Sequence, residues 1–414
     1  MSSFLDKLTI YDILLYILVI TIAINVHRIL FRPYQLVRNV GDVGYITDGR
    51  NKREVAVANE IRKRRRAGDV PPVYPNGWFS VLCSWELKQG EVKYVSALGQ
   101  ELAIFRGTVN NKPFIVDAYC SHLGANIGVG GQVKGDCIEC PFHGWTFNGS
   151  DGNCIDIPYS SKVPEFARIR TWRCLEVNGE IMLWFHAEEE EPDWFPPEIE
   201  GIKTMTFHGY TEHHVNVHIE EISENGADLA HLRHLHSPFV AAGRDLRFTF
   251  SWLWKWFQHD WHGEWRVSPS DKHVGVLKLD HSLTIFGKKC PVLTTLAVEA
   301  CQIGPGIVHI RFHHPTLGDT IMVQTVLPMG PLHQKLVHSM FTTWRIHRPI
   351  AKIIMSLESL QIERDLMIWN HKMYQSKPMI VKEESTLVKH RRWYSQFYSE
   401  NSPRYSTRKE TLDW

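Results

Sequence analysis

The 414-residue chain has only eight cysteines, too few for a disulfide scaffold, and its formal net charge is only +1. The sparse cysteine favours a reducing compartment, and the balanced charge leaves no electrostatic footprint for nucleic acid. No G-x-G-x-x-G fingerprint falls on a strand-to-helix turn, so the chain is not expected to take hydride from NAD(P)H itself. The apolar run from Leu8 to Phe31 is followed by no A-x-A-like cleavage site, which sets aside a removed signal peptide. It also lacks a polar face, which argues against a buried amphipathic helix.

What is present begins with that run. It has about the twenty residues that cross a bilayer core, with Asp12 near its start and Asn25, His27 and Arg28 near its end. Basic residues then gather on one side: Arg28, Arg32, Arg38, Lys52, Arg53 and Arg62-Lys63-Arg64-Arg65-Arg66. The positive-inside rule puts everything after the run in the cytosol, and the basic cluster is either a solvated helix face or a contact with anionic headgroups. The expected organisation is an anchor over 1–34, a basic linker over 35–77, a first domain over 78–187 and a second over 188–414. At 43% hydrophobic residues, the length suffices for two cores.

From Trp78 to about His186 the chain reads as short strands between turns, a small all-β domain. Within it lie Cys120-Ser-His122 and Cys140-Pro-Phe-His143. Two thiolates and two imidazoles suit zinc or a [2Fe-2S] cluster. A zinc finger pairs Cys with Cys and His with His, whereas here each loop brings one of each; that mixed pairing suits a Rieske centre. Cys137 and Cys140 form a C-x2-C pair, but Cys140 already serves the cluster, leaving Cys137 as a small apolar residue.

The second domain alternates strand-like runs, including 320–327 and 335–344, before a long helical pattern from about Pro349 to Met373: an α+β layout. Asp228, His231 and His236 stand as D-x2-H-x4-H, and two imidazoles with a distant carboxylate would make the facial triad of a mononuclear iron. With 23 histidines in the chain, that spacing alone is weak. His213, His214, His218, His313, His314, His333, His338 and His347 have no carboxylate at ligand spacing and read as solvated or hydrogen-bonded. Trp252, Trp254, Trp256, Trp261 and Trp265 are taken as core, with a pocket lining the alternative.

Cys120-Ser-His-Leu-Gly-Ala with Cys140-Pro-Phe-His-Gly-Trp-Thr-Phe resembles the motif of Rieske-type oxygenases. The resemblance implies a [2Fe-2S] cluster on Cys120, His122, Cys140 and His143, and a START-like, helix-grip catalytic domain built on an antiparallel sheet. It also implies mononuclear Fe(II) on His231, His236 and a carboxylate of Gln361-Ile-Glu-Arg-Asp, with Asp365 chosen over Glu363. His234 is left out on the motif alone. Asp228 would accept the ring N–H of His231 and bridge to a neighbour's cluster, implying a homotrimer; Glu224 and Asn225 would lie near the iron without binding it.

The N-terminal anchor, Pro75-Asn-Gly-Trp78 and Arg391-Arg-Trp-Tyr-Ser-Gln-Phe-Tyr398 extend the resemblance to the Neverland group of animal cholesterol 7-desaturases. That implies conversion of cholesterol to 7-dehydrocholesterol for steroid hormone synthesis, at an endoplasmic reticulum membrane. The reaction would use O2 and electrons from NAD(P)H through a separate reductase or ferredoxin. Two other functions stay open: a sterol-ring hydroxylase, and a membrane-tethered Rieske electron carrier with a lipid-binding domain.

Overall fold

The structure, a computed structural model, describes residues 9–46, 54–64, 67–290 and 296–405. Leu8 and the basic residues Lys52, Arg53, Arg65 and Arg66 lie outside the described residues. The apolar run forms one helix, Ile10–Phe31, none of whose residues is buried against the rest of the protein. At 1.5 Å per residue it is about 33 Å long, enough to span a bilayer core of about 30 Å. Asp12 has a local role: its carboxylate accepts the Thr9 N–H while its own N–H donates to Thr9 Oγ1. This capping box holds the charge at the helix terminus. The helix is consistent with a single-pass anchor.

The cluster domain is made of short antiparallel strands. Gly77–Cys83 pairs with Glu180–Phe185, and Gln100–Arg106 pairs with both Val92–Ala97 and Pro113–Asp117. A separate small sheet over 132–156 carries the second Cys/His loop. One core joins this domain to the next: Phe79, Leu102, Ile104 and Ile181 pack with Val326, Leu336, Leu366 and Trp369. The cluster domain thus rests on the sheet and the long helix of the second domain.

The second domain corrects the expectation of a START-like helix-grip on an antiparallel sheet. Its sheet is large and mixed, with nine strands among the described residues. The order is Tyr34–Arg38, Thr206–Val215, His333–Thr342, Gly318–Gly330, Ile307–His314, Leu296–Ile303, Val274–Ile285 and Phe257–Val267, with Lys288–Cys290 on Val274–Ile285. The departure lies at the first strand. Tyr34–Arg38, just after the apolar helix, runs parallel to Thr206–Val215. Gly209 makes that pairing possible: its φ is +132°, and a Cβ there would lie 1.9 Å from the Tyr34 carbonyl oxygen. The cluster domain is not purely β either, since a helical turn, Ser84–Glu86, follows its first strand. The whole chain is α+β with a single apolar N-terminal helix.

The long helix Arg348–Trp369 packs along this sheet. Pro349 suits its first turn, where an N–H would have no partner. Ala351, Met355, Ser359, Leu366 and Trp369 are buried at helical spacing. Unusually, Glu363, Arg364 and Asp365 are buried too, so the helix carries charge on enclosed faces where a function or a partner must account for it.

Candidate active site

Asp228 caps the short helix Leu229–His234, its carboxylate accepting the His231 N–H at 3.0 Å. That cap sets His231 on the first turn, and the chain leaves the helix at Leu235 in time to turn His236 inward. Asp365 comes across from the long helix. The ligand atoms of His231, His236 and Asp365 all lie within 4.8 Å of one another, and His236 Nε2 is 3.2 Å from the Asp365 carboxylate. The two imidazoles stand nearly perpendicular, centroids 5.2 Å apart. A mononuclear-iron-binding triad is present.

The donor chemistry fits such a metal at the level of tautomers. His231 Nδ1 faces the Asp228 backbone carbonyl, which can only accept, so Nδ1 carries the proton and Nε2 the lone pair. The Asp228 carboxylate stands 4.0 Å off the same nitrogen. For His236 the logic runs through two residues. Arg364 Nη1, which can only donate, lies 3.0 Å from Gln361 Oε1, and His236 Nδ1 lies 2.9 Å from that oxygen. His236 must therefore donate from Nδ1, leaving Nε2 free for a metal. Burial lowers the His231 pKa, favouring the neutral ring a metal needs.

Arg364 has no exposed surface and ties this arrangement down. It donates to the backbone carbonyls of Leu235, Pro238, Phe239 and Gly243, fixing the loop after His236 to the long helix. Sequence reasoning gave Gln361 and Arg364 no role. The signal was available for Gln361, which stands four residues before Asp365 and so on the same helical face.

Glu363 has other partners. It pairs with Arg38 and Arg244 at 2.9 Å and lies 3.9 Å from His213, away from the triad. His234 is exposed and stacks on Phe250. Glu224 pairs with Arg391 at 2.5 Å, while Asn225 lines the cavity beside the triad.

That cavity encloses about 620 Å³, within the roughly 300–1,000 Å³ typical of small-molecule sites. His231, His236 and Asp365 form part of its wall; Leu277, Leu279, Leu296, Ile310 and Phe312 are among its apolar lining. The tryptophan run is not simply core: Trp265 is buried, Trp261 and Trp265 line the cavity, and Trp252 and Trp256 are exposed. Of the histidines expected to be solvated or hydrogen-bonded, His313 bonds Asp319, and His314 and His338, which bond Thr316 and Gln324, also line the cavity.

The cluster loops are built alike. In one, Cys120 N–H donates to Ala125 O and Gly124 N–H to Cys120 O; in the other, Cys140 N–H donates to Trp145 O and Gly144 N–H to Cys140 O. Gly124 and Gly144 both sit at positive φ, +72° and +76°, closing equivalent turns. Cys120 and Cys140 are both buried. Burial pushes Cys120 up to about 11, so holding thiolates here calls for a bound cation. The half-buried rings of His122 and His143 lie 4.8 Å apart at the rim, His122 stacked on Trp145. Two buried cysteines and two half-buried histidines fit the mixed Cys/His donor set of a Rieske [2Fe-2S] cluster.

Comparison with known proteins agrees with this division. Residues 77–167 match the Rieske [2Fe-2S] domain and 183–398 the 3-ketosteroid 9alpha-hydroxylase C-terminal domain. In fold the chain is similar to caffeine-bound NdmA of Pseudomonas putida, with TM-score 0.57 and 15% identity over 77% of this chain and 89% of that one. A dicamba monooxygenase structure gives 0.56 and 15% over 79% and 98%. In sequence it is 49% identical to cholesterol 7-desaturase of Xenopus laevis, over 94% of this chain and 85% of that protein. It is 41% identical to the Caenorhabditis elegans cholesterol 7-desaturase over 91% and 90%, and 29% identical to a 3-ketosteroid-9-alpha-monooxygenase oxygenase component of Rhodococcus rhodochrous over 82% and 85%. With a mononuclear-iron-binding triad, a Rieske domain and identity of this order along nearly its whole length, the chain belongs to the cholesterol 7-desaturase family of Rieske non-haem iron oxygenases.

Proposed function

We propose that this protein desaturates cholesterol between C7 and C8, at a membrane, using O2 and electrons from a separate reductase. The observation that carries the reading is the metal triad set in the wall of a large apolar cavity. The names of the relatives supply the ring position. Two hydrogens leave the sterol, and O2 with two further electrons and two protons becomes two waters. When bound, the [2Fe-2S] group would supply single electrons and the mononuclear iron the oxidising power to take hydrogen from ring C–H bonds.

The chain's own residues do the rest. His231, His236 and Asp365 would hold the iron, and all three border the cavity. Asp228 and Gln361 hold the imidazole tautomers. The apolar wall orients a sterol and excludes water from the reacting carbon. Asp228, His122 and His143 are partly exposed, which suits a meeting of cluster and iron site across subunits in a ring of three. The Ile10–Phe31 anchor suits a substrate dissolved in the bilayer, with the catalytic part on the cytosolic face of the endoplasmic reticulum.

Cholesterol deuterated at C7 and C8 tests this in cells expressing the chain. A product that has lost one deuterium from each carbon supports the desaturase. A sterol that keeps every deuterium and gains an oxygen elsewhere points to a ring hydroxylase, the activity named in the matching catalytic-domain family. In a His231→Ala variant, turnover is expected to vanish and the iron content to fall from three per chain to two, with the Rieske absorption intact. Two irons in the wild type would instead favour the electron carrier.

A further inference from the structure

The long helix turns one face to the cavity through Ile354, Glu358, Gln361, Ile362 and Asp365. Asp365 belongs to the metal triad and Gln361 orients His236, but Glu358 has no part in that machinery. It stands two helical turns before Asp365, about 10.5 Å along the axis. Across from it, His338 Nε2 lies 3.7 Å from Glu358 Oε1 and 2.9 Å from Gln324 Oε1. Gln324 and His338 are directly opposed on neighbouring strands, so the three form a polar cluster on a mostly apolar wall.

This cluster is short of partners. Glu358 Oε2 and His338 Nδ1 have none among the described residues, and an unmet polar group in an apolar enclosure costs stability. Such a cost is retained where a ligand offsets it.

We propose that Glu358, supported by His338 and Gln324, is the binding site for the hydroxyl group of the sterol, fixing which ring carbons reach the metal triad. The inference rests on the sterol reading above and adds its anchor point. Cholesterol has one polar group, the 3-hydroxyl on ring A, and the carbons to be desaturated lie one ring away. Two helical turns separate the cluster from the triad, a span the fused A and B rings can bridge while the apolar remainder of the cavity takes the side chain. A hydroxyl both donates and accepts. Burial, with Asp365 adding to it, pushes the Glu358 carboxyl up to about 8, so near neutral pH it too can donate and accept. Glu358 is here a positioning residue.

Equilibrium binding of radiolabelled cholesterol, and of cholest-5-ene, which lacks only the hydroxyl, to the purified full chain in detergent tests it. Wild type is expected to bind cholesterol roughly ten-fold more tightly than cholest-5-ene, the worth of a buried hydrogen bond. Glu358→Leu should reduce cholesterol to the cholest-5-ene level without changing the latter, and Glu358→Gln should keep most of the preference. Unchanged Rieske absorption and a melting temperature no lower than that of wild type would show that the variants fold. Equal affinities in wild type, or a Glu358→Leu loss equal for both ligands, would overturn the hydroxyl site while leaving the sterol reading standing. If wild type bound neither ligand, the sterol reading would fall and the hydroxyl site with it.

Discussion

Asp365 and Glu363 are two positions apart on one helix and so point to opposite sides of it. In sequence they look alike, and both are buried, because the cavity encloses one side and Arg38 and Arg244 cover the other. Burial alone would raise the Glu363 carboxyl, yet His213, Arg244 and Arg38 outweigh it and pull it down to about 2. Glu363→Gln is therefore expected to cost about 1–3 kcal/mol of stability, its arginine partners being partly exposed, while leaving the iron in place. Asp365→Ala should do the reverse, losing the mononuclear iron with little change in melting temperature. Iron analysis and thermal unfolding of the two variants separate the roles; loss of iron from Glu363→Gln alone would reverse them. Gln361→Ala is expected to lower iron affinity roughly 10–100-fold by freeing the His236 ring. Chelator competition measures this, and an unchanged affinity would remove Gln361 from the site. The Cys/His loops could be read from sequence because each is local; the link from Arg364 through Gln361 to His236 spans well over a hundred residues and shows only in space.

At the scale of elements, strands and the long helix followed from alternation and periodicity. The short strands expected between Trp78 and His186 include Gly77–Cys83, Gln100–Arg106 and Pro113–Asp117, and the helix expected from about Pro349 to Met373 is Arg348–Trp369, four residues shorter at its end. What pairing could not be read is shown by Tyr34–Arg38. Basic composition made it look like linker, but it pairs parallel on Thr206–Val215 and brings Arg38 to Glu363. No local pattern announces a partner some 170 residues away. Gly209→Val would set a side chain against the Tyr34 backbone and is expected to release this strand. Hydrogen exchange at 34–38 should then speed up with little change in the cluster domain; unchanged protection would mean the strand is held by other contacts.

Across the whole molecule, many imidazoles are kept neutral by burial. His208 and His309 are pulled down to about 4 and His390 to about 3, burial being the first cause for each. In the unfolded chain they titrate near 6.5. Between pH 6.5 and about 4 the unfolded state therefore binds more protons, and stability falls as pH falls through that window. Melting temperature should be clearly lower at about pH 5 than at about pH 7.5; a flat profile would mean these rings are not buried neutral. The apolar helix also acts at this scale. Lys352 on the long helix donates to the Arg28 carbonyl at the end of Ile10–Phe31, and the nearby Ile350 and Ile353 are exposed. Removing residues 1–31 is expected to shift the protein from membrane to soluble fractions and to depress turnover of bilayer cholesterol more than of detergent-dispersed cholesterol.

The most direct test of the whole is turnover of cholesterol by the purified full chain, with a reductase, under heavy-isotope O2. Desaturation at the triad requires a sterol lighter by two hydrogens and free of the isotope, with the heavy oxygen recovered in water and no product from His236→Ala. A sterol carrying the heavy oxygen would make the protein a hydroxylase, and a product formed equally by His236→Ala would place the chemistry outside the triad.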